Sequence, residues 1–415
     1  AFVMTLIYDT DWKPTARADL DAPLDFVDPV QGHLSCYSEH RDDATWLHFQ
    51  VRPNHYLGAG HHHADAGMIH FASGGVNWIM ESPFPKSYEG RFHNQVLIDG
   101  VSQPTWTQGR ADWLGAEMTP WGATAAADLG QSYTYLWRSQ FIMFDTDDWG
   151  PRPDQFEWTV SHDPVALKAF RGTQRYKMRP WWPTGIFSRW IPVLQREFNP
   201  VAYAWRSVSL VRGRHPYGLV VDDIKKDDEV HLYQWSAMPG PGVWAASTDA
   251  ELPLNMLLLA RQGEERFHPG ARRLRPGRGD PLLLICLLGG EGKPATFDVT
   301  HSSSARFALD PYGALAVEEQ GAVTAPIRIE TRGDGPHWQA SDQVQFFDDV
   351  IIGGCHSREA HFKTLLIPLV QGDPTPEVSY DPATDTARIG WPDQQDVLRF
   401  TRLGDGRTLL TLERP

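Results

Sequence analysis

The sequence predicts an all-β chain, a large two-layer antiparallel β-sandwich, and three observations predict it. Apolar and polar residues alternate with period two over many short segments, while long helical stripes are scarce. Turn chemistry drawn from 36 Gly and 32 Pro punctuates those segments. The aromatic complement is heavy, with 17 Trp, 12 Tyr and 19 Phe, residues whose general burial preference puts most of them in β-rich cores. A length of 415 residues allows two or three domains, although large β architectures absorb such a length in one or two.

In chain order, residues 1–30 read as a connecting segment, 31–370 as the sandwich, and 371–415 as a small appended β element. Ser132 to Ser139 reads as a half-buried strand, with Tyr133, Tyr135 and Trp137 on one face and Ser132, Thr134 and Arg138 on the other. Arg206 to Asp223 reads as two strands joined by the turn-like Gly213-Arg214-His215-Pro216. Asp396 to Leu412 reads as a hairpin around Asp405-Gly406, a strong short-range turn signal. Asp381-Pro382 and Gly333-Asp334-Gly335 carry similar turn chemistry. Gly150 to Trp190 and the arginine-rich Gly263 to Asp280 read as long loops, where a rigid sheet tends to carry its sites.

Composition excludes several functions. With 38 Lys plus Arg against 52 Asp plus Glu, the net charge of −14 argues against nucleic acid or an anionic membrane as partner. The longest apolar run, Leu282 to Leu288, is far short of the roughly 20 residues a membrane helix needs. Cys36, Cys286 and Cys355 are too few for a disulfide scaffold and lack metal-binding spacing. No phosphate loop and no Gly-x-Ser-x-Gly elbow is present.

The densest chemical constellation is Gly60-His61-His62-His63-Ala64-Asp65-Ala66-Gly67, followed by the apolar stretch Met68 to Ala72. On a strand, residues 61, 63 and 65 would share one face, so that two imidazoles and a carboxylate converge as ligands suited to zinc or iron. A bare surface histidine tract is the competing reading. Downstream lie Trp78-Ile79-Met80-Glu81, then Tyr88, then Arg91-Phe92-His93-Asn94-Gln95-Val96-Leu97-Ile98-Asp99-Gly100.

These segments resemble the heparinase II/III-like polysaccharide lyases, a family that includes lyases for heparan sulfate and alginate. The resemblance rests on the H-x-H-x-D-x-G segment at His61 to Gly67, the carboxylate at Glu81, and the His93-Asn94 pair opening an H-N-x-V-x-I-D-G segment. It implies one structural zinc held by His63, Glu81 and His93, although the family usually has Asp where this chain has Glu81. It implies that His61 faces the substrate cleft and that Tyr88 is the nearby tyrosine, the two sharing base, acid or carboxylate-neutralising roles in β-elimination of a uronic-acid polysaccharide. Asn94, Arg175, Arg179, Trp181 and Trp182 are the expected substrate-binding residues, with Arg171, Lys177, Arg189 and Trp190 beside them. An anionic polysaccharide or oligosaccharide is the expected partner, and a secreted or periplasmic location goes with it. Relatives carry an (α/α) toroid before the sandwich, so this chain is expected to be a C-terminal fragment, a processed chain or one subunit, with a toroid domain or chain as partner. Homo-oligomerisation is left open.

Two other functions compete. His63 and Asp65 have the H-x-D spacing of a non-haem iron oxygenase, which His162 and Arg171 would complete, and cupin sites also begin with His-x-His. A non-catalytic sugar-binding or structural sandwich with a stapling zinc is the reading from outside enzymology. Asp145, Asp147 and Asp148 lack the glycine and terminal glutamate of a calcium loop, and His215, His231, His356 and His361 read as packing or surface residues.

Overall fold

The structure, a computed structural model, describes residues 19, 22–52, 65–81, 93–103, 111–139, 159–160, 193–240, 242–246, 252–253, 255–261, 276–289, 307–309, 315–317, 328–331 and 349–415. Every strand pairing among them is antiparallel. The expected all-β class is what the chain adopts.

One layer is built from two sheets. Asp25–Asp28, His33–Tyr37, Trp46–Gln50, Met68–Ser73 and Val76–Ile79 pair in sequence order as a five-stranded sheet. Arg328–Thr331, Asp349–Ser357, His231–Ala237 and Val96–Ile98 form a four-stranded sheet in that order. A bridge between Ile79 and Pro239 joins the two, and the amides of Met80 and Gly240 donate across the seam to the carbonyls of Met238 and Trp78.

The second layer is an eight-stranded sheet. Its order is Val243–Ala245, Met256–Arg261, Pro281–Leu288, Ala360–Val370, Tyr217–Lys225, Tyr203–Val211, Gly122–Asp128 and Asp112–Thr119. The strands expected on either side of Gly213 to Pro216 are Tyr203–Val211 and Tyr217–Lys225, paired from Tyr203 opposite Lys225 to Val211 opposite Tyr217. Between the layers lies the larger core, where Leu34, Phe49, Phe71 and Trp78 meet Val208, Val220, Ile285 and Phe362 of the central strands.

A four-stranded meander, Glu377–Asp381, Thr386–Trp391, Gln394–Arg402 and Thr408–Glu413, covers the outer face of the eight-stranded sheet. Its last hairpin turns at Asp405-Gly406, with Gly406 at φ +91°. This third layer explains the apolar run at Leu282 to Leu288. Leu283, Ile285 and Leu287 enter the inner core, while Leu282, Leu284, Cys286 and Leu288 enter the outer one. A strand buried on both faces loses the alternation that marks a half-exposed one.

The strand expected over Ser132 to Ser139 is corrected in its first half. Gly130–Thr134 is a short helix, and the strand begins at Tyr135. Asp128 Oδ1 accepts from the amide of Gly130 at 2.8 Å, and the amides of Ser132 and Tyr133 bond back to Leu129. Tyr133 is then fully buried, its hydroxyl donating to Val96 O at 2.7 Å. That tertiary hydrogen bond and the burial of the ring outweigh local alternation.

Candidate functional site

Glu81 and His93 are set by the seam between the two sheets of the first layer. Glu81 follows the strand Val76–Ile79, whose continuation pairs with Met238, and His93 leads into Val96–Ile98 beside His231–Ala237. Residues twelve apart in sequence are thereby returned to one point. His93 is fully buried, and its Nδ1 lies 3.8 Å from Glu81 Oε1, the Glu81 side chain being 28% exposed. That separation is too long for a hydrogen bond and falls within the sum of two zinc bonds of about 2 Å each. Imidazole nitrogen and carboxylate oxygen are both donors that zinc takes, so the pair fits two-thirds of the expected ligand set. The third member, His63, lies outside the described residues, as do His61, Tyr88, Arg175, Arg179, Trp181 and Trp182. No group of three or more His, Cys, Asp or Glu side chains placed to hold a metal ion occurs among the described residues.

Asn94 does something other than the expected substrate contact. It is fully buried at φ +58°, in the left-handed region that asparagine tolerates better than most residues. Its Nδ2 donates to Ile69 O at 2.7 Å and Met80 O at 3.4 Å, and its Oδ1 accepts from the amide of Met238 at 2.6 Å. The carboxamide therefore laces three segments of the first layer together around His93. A buried side chain so engaged is framework and does not face a ligand.

From across the sandwich, Arg206 reaches the same turn. It is 1% exposed and grips Asp222 through Nε at 2.6 Å and Nη2 at 3.1 Å. Its Nη1 donates to Gly67 O at 2.7 Å and to Asn94 O. Burial pushes Asp222 above the ordinary carboxylate range, against the pull of the Arg206 guanidinium. Gly67 sits at φ +81°, and a Cβ there would stand 2.6 Å from Leu129 Cδ1, so the position accepts only glycine without displacement.

Asp65 precedes the strand Met68–Ser73 instead of continuing it, so the shared strand face envisaged for residues 61, 63 and 65 does not extend to Asp65. Its carboxylate is buried, bound by Arg52 at 2.6 Å and by Gln50 Nε2 at 3.0 Å. A carboxylate neutralised by guanidinium is a poor partner for His63 in an iron site.

The solvent-side face of the five-stranded sheet carries a feature that single-segment reading passed over. Tyr37, Trp46, His48 and His33 stack in a row with centroids 6.2, 5.9 and 5.3 Å apart. His70, inside the stretch read as apolar, sits 5.8 Å from His48, and its Nε2 accepts the amide of Glu81 at 3.1 Å. Burial lowers the His48 pKa to about 4, helped by His70 and His33, and burial lowers His70 as well, against the Glu81 carboxylate. Burial thus favours the neutral forms of His48 and His70, and the row reaches Glu81 through the Nε2 acceptor of His70. The signal was the antiparallel register, which sets His48 opposite His70 and cannot be read from one strand.

The remaining described histidines of the sequence reading are largely tied to carboxylates. His231 Nδ1 and Nε2 meet Asp99 and Asp227 at 2.6 and 2.9 Å, His215 meets Asp393 at 2.7 Å, and His361 meets Asp223 at 2.6 Å. Among the described residues no helix is long and apolar enough to cross a membrane.

No family model matches the chain, and no curated protein matches it. Among solved structures it is similar to a heparan sulfate lyase HepC mutant from Pedobacter heparinus, with TM-score 0.47 and 10% identity over 95% of this chain and 43% of that one. A heparinase III gene product gives 0.46 and 9% over 95% and 42%, and a further heparinase III gives 0.45 and 9% over 93% and 42%. The chain spans less than half the length of these proteins. The fold class stated above rests on the strands of this chain alone.

Proposed function

We propose that this chain is the β-sandwich part of a polysaccharide lyase that cleaves a uronic-acid-containing polysaccharide by β-elimination. The observation that carries the reading is the convergence of Glu81 and His93 at 3.8 Å, with His93 fully buried, where the motif resemblance expects a ligand pair. His63 is the third ligand of the proposed zinc. When bound, the ion would staple the segments that carry its ligands, and no chemical step passes through it.

In the proposed reaction a base takes the proton from C5 of the uronate. The electron pair forms the C4–C5 double bond, the C4–O4 bond breaks, and an acid delivers a proton to the departing O4. His61 and Tyr88 are the chain's groups for these transfers, each worth about 10² to 10⁴ in rate when positioned. A group that neutralises the uronate carboxylate makes the C5 proton acidic enough to leave, and Arg175 and Arg179, with Trp181 and Trp182 against the sugar rings, are proposed to bind the chain near it. An α-helical toroid, as an added domain or partner chain, and a secreted or periplasmic location belong to the same reading.

The test is incubation with heparan sulfate, alginate, hyaluronan and ulvan, with and without the parent protein's remaining segments, following the ultraviolet absorbance of the unsaturated uronate. Appearance of that absorbance on one polymer is the expected result. Silence across the panel with the complete protein overturns the lyase reading in favour of a non-catalytic sandwich. Metal analysis should find zinc; iron with 2-oxoglutarate-dependent turnover would establish the oxygenase instead.

A further inference from the structure

We propose that Arg206 is the positioning residue of the Glu81–His93 pair, acting through the backbone carbonyls of Gly67 and Asn94 from the opposite layer of the sandwich. The inference rests on the reading of Glu81 and His93 as a ligand pair, and it adds a residue from the opposite layer that holds the backbone beside His93.

The geometry is specific. Gly67 ends the segment that bears His61 and His63, and Asn94 follows His93 directly. Both residues adopt left-handed backbone conformations, φ +81° and +58°, and both direct their carbonyl oxygens to Arg206 Nη1. One nitrogen thus joins the segment carrying the expected third ligand to the turn carrying His93. The opposite edge of the same guanidinium is fixed by Asp222, its cross-strand neighbour, through two parallel hydrogen bonds. A planar fork held on one side delivers its remaining donors in a fixed direction, which a lysine ammonium does not do. Gln103 Nε2 adds a bond of 2.9 Å to Ala66 O, so two consecutive carbonyls before the first-layer strand are held from outside that strand. The whole cluster is excluded from water, Arg206 being 1% and Asp222 3% exposed, and in that setting a misdirected donor is not replaced by solvent.

Partners behind metal ligands set ligand orientation, and losing one weakens metal binding by roughly 10- to 100-fold. The experiment compares wild type with Arg206→Lys, which keeps the charge beside Asp222 and loses the fork. Zinc affinity is measured by competition with a chromophoric chelator, folding by thermal denaturation, and the His93 ring nitrogens by NMR of histidine-labelled protein. The expected result for folded Arg206→Lys is zinc affinity lower by about 10-fold or more, with displaced His93 ring signals and unmoved signals from His215 and His231. Unchanged zinc affinity and unchanged His93 signals in the folded variant overturn the proposal and leave Arg206 a purely structural residue. If wild type binds no zinc, the ligand-pair reading fails separately, and the His93 signals alone decide whether Arg206 positions the ring. If Arg206→Lys does not fold, Asp222→Asn, which keeps the shape and removes the charge that aims the fork, carries the same readings with the same two outcomes.

Discussion

At the residue scale, His93 and His61 are expected to fail in different ways. His93 is fully buried between segments, so His93→Ala removes packing as well as a proposed ligand and should cost about 2–4 kcal/mol, read as a lowered thermal midpoint. His61→Ala should abolish turnover while leaving that midpoint in place, because its expected role faces the substrate. Equal loss of stability in the two variants would refute this division. Gly67→Ala places a methyl 2.6 Å from Leu129 Cδ1 at a backbone angle that alanine disfavours. Denaturant titration should show a loss of about 1–3 kcal/mol.

The histidine row makes stability depend on pH in a definite direction. His48 has its pKa lowered from 6.5 to about 4 in the fold, through burial and then the neighbouring His70 and His33. The unfolded chain therefore binds the proton more readily than the native one. The contribution is complete above about pH 6.5 and is lost as the pH falls toward 4. His48→Phe, which keeps a planar ring and removes the titration, should flatten the acid limb of the thermal midpoint over that window. An unaltered acid limb would show that other groups govern it.

At the scale of elements, the C-terminal meander is a covering layer that the eight-stranded sheet needs. Val211, Leu219, Val221, Leu284, Ile367 and others of the outer core lie beneath Ala387, Ile389, Leu398 and Phe400. Lys363, 2% exposed, pairs with Asp385 at 2.9 Å and lies 5.5 and 5.1 Å from the rings of Tyr380 and Phe400. Asp223 accepts from the amide and hydroxyl of Thr408 at 2.7 and 2.8 Å while holding His361. Each large aliphatic side chain exposed by removing the meander forfeits about 1.5–3 kcal/mol. A handful of them exceeds the roughly 5–15 kcal/mol that keeps a domain folded. A chain ending at Val370 should accumulate as aggregate or fail to show a cooperative transition. A soluble, cooperatively folding truncation would establish the meander as a separate domain.

At the scale of the whole molecule, two cysteines report on how the layers open. Cys36 lies in the inner core and Cys286 in the outer core, on opposite sides of the eight-stranded sheet, and burial raises both thiols. The strands Tyr217–Lys225, Pro281–Leu288 and Ala360–Val370 contribute to both cores, which couples their loss. Under native conditions the two thiols should react with a thiol reagent at equal rates set by global opening. Faster labelling of Cys286 would show the meander peeling away on its own.

What the sequence by itself determined is whatever neighbours along the chain decide. Period-two alternation and turn chemistry specified the all-β class, the strands flanking Gly213 to Pro216, and the hairpin around Asp405-Gly406. The family resemblance, and neither alternation nor turn chemistry, pointed to Glu81 and His93, which the fold brings to 3.8 Å. Tertiary structure decided the rest, because a buried polar group takes its partner from whatever segment packs against it. Tyr133 turned its segment helical to reach Val96, and Asn94 sank beneath the site to hold three backbones. Arg206 found carbonyls 139 and 112 residues away. Alternation along a strand says which face a side chain takes, and only the packing of two layers says what it meets there.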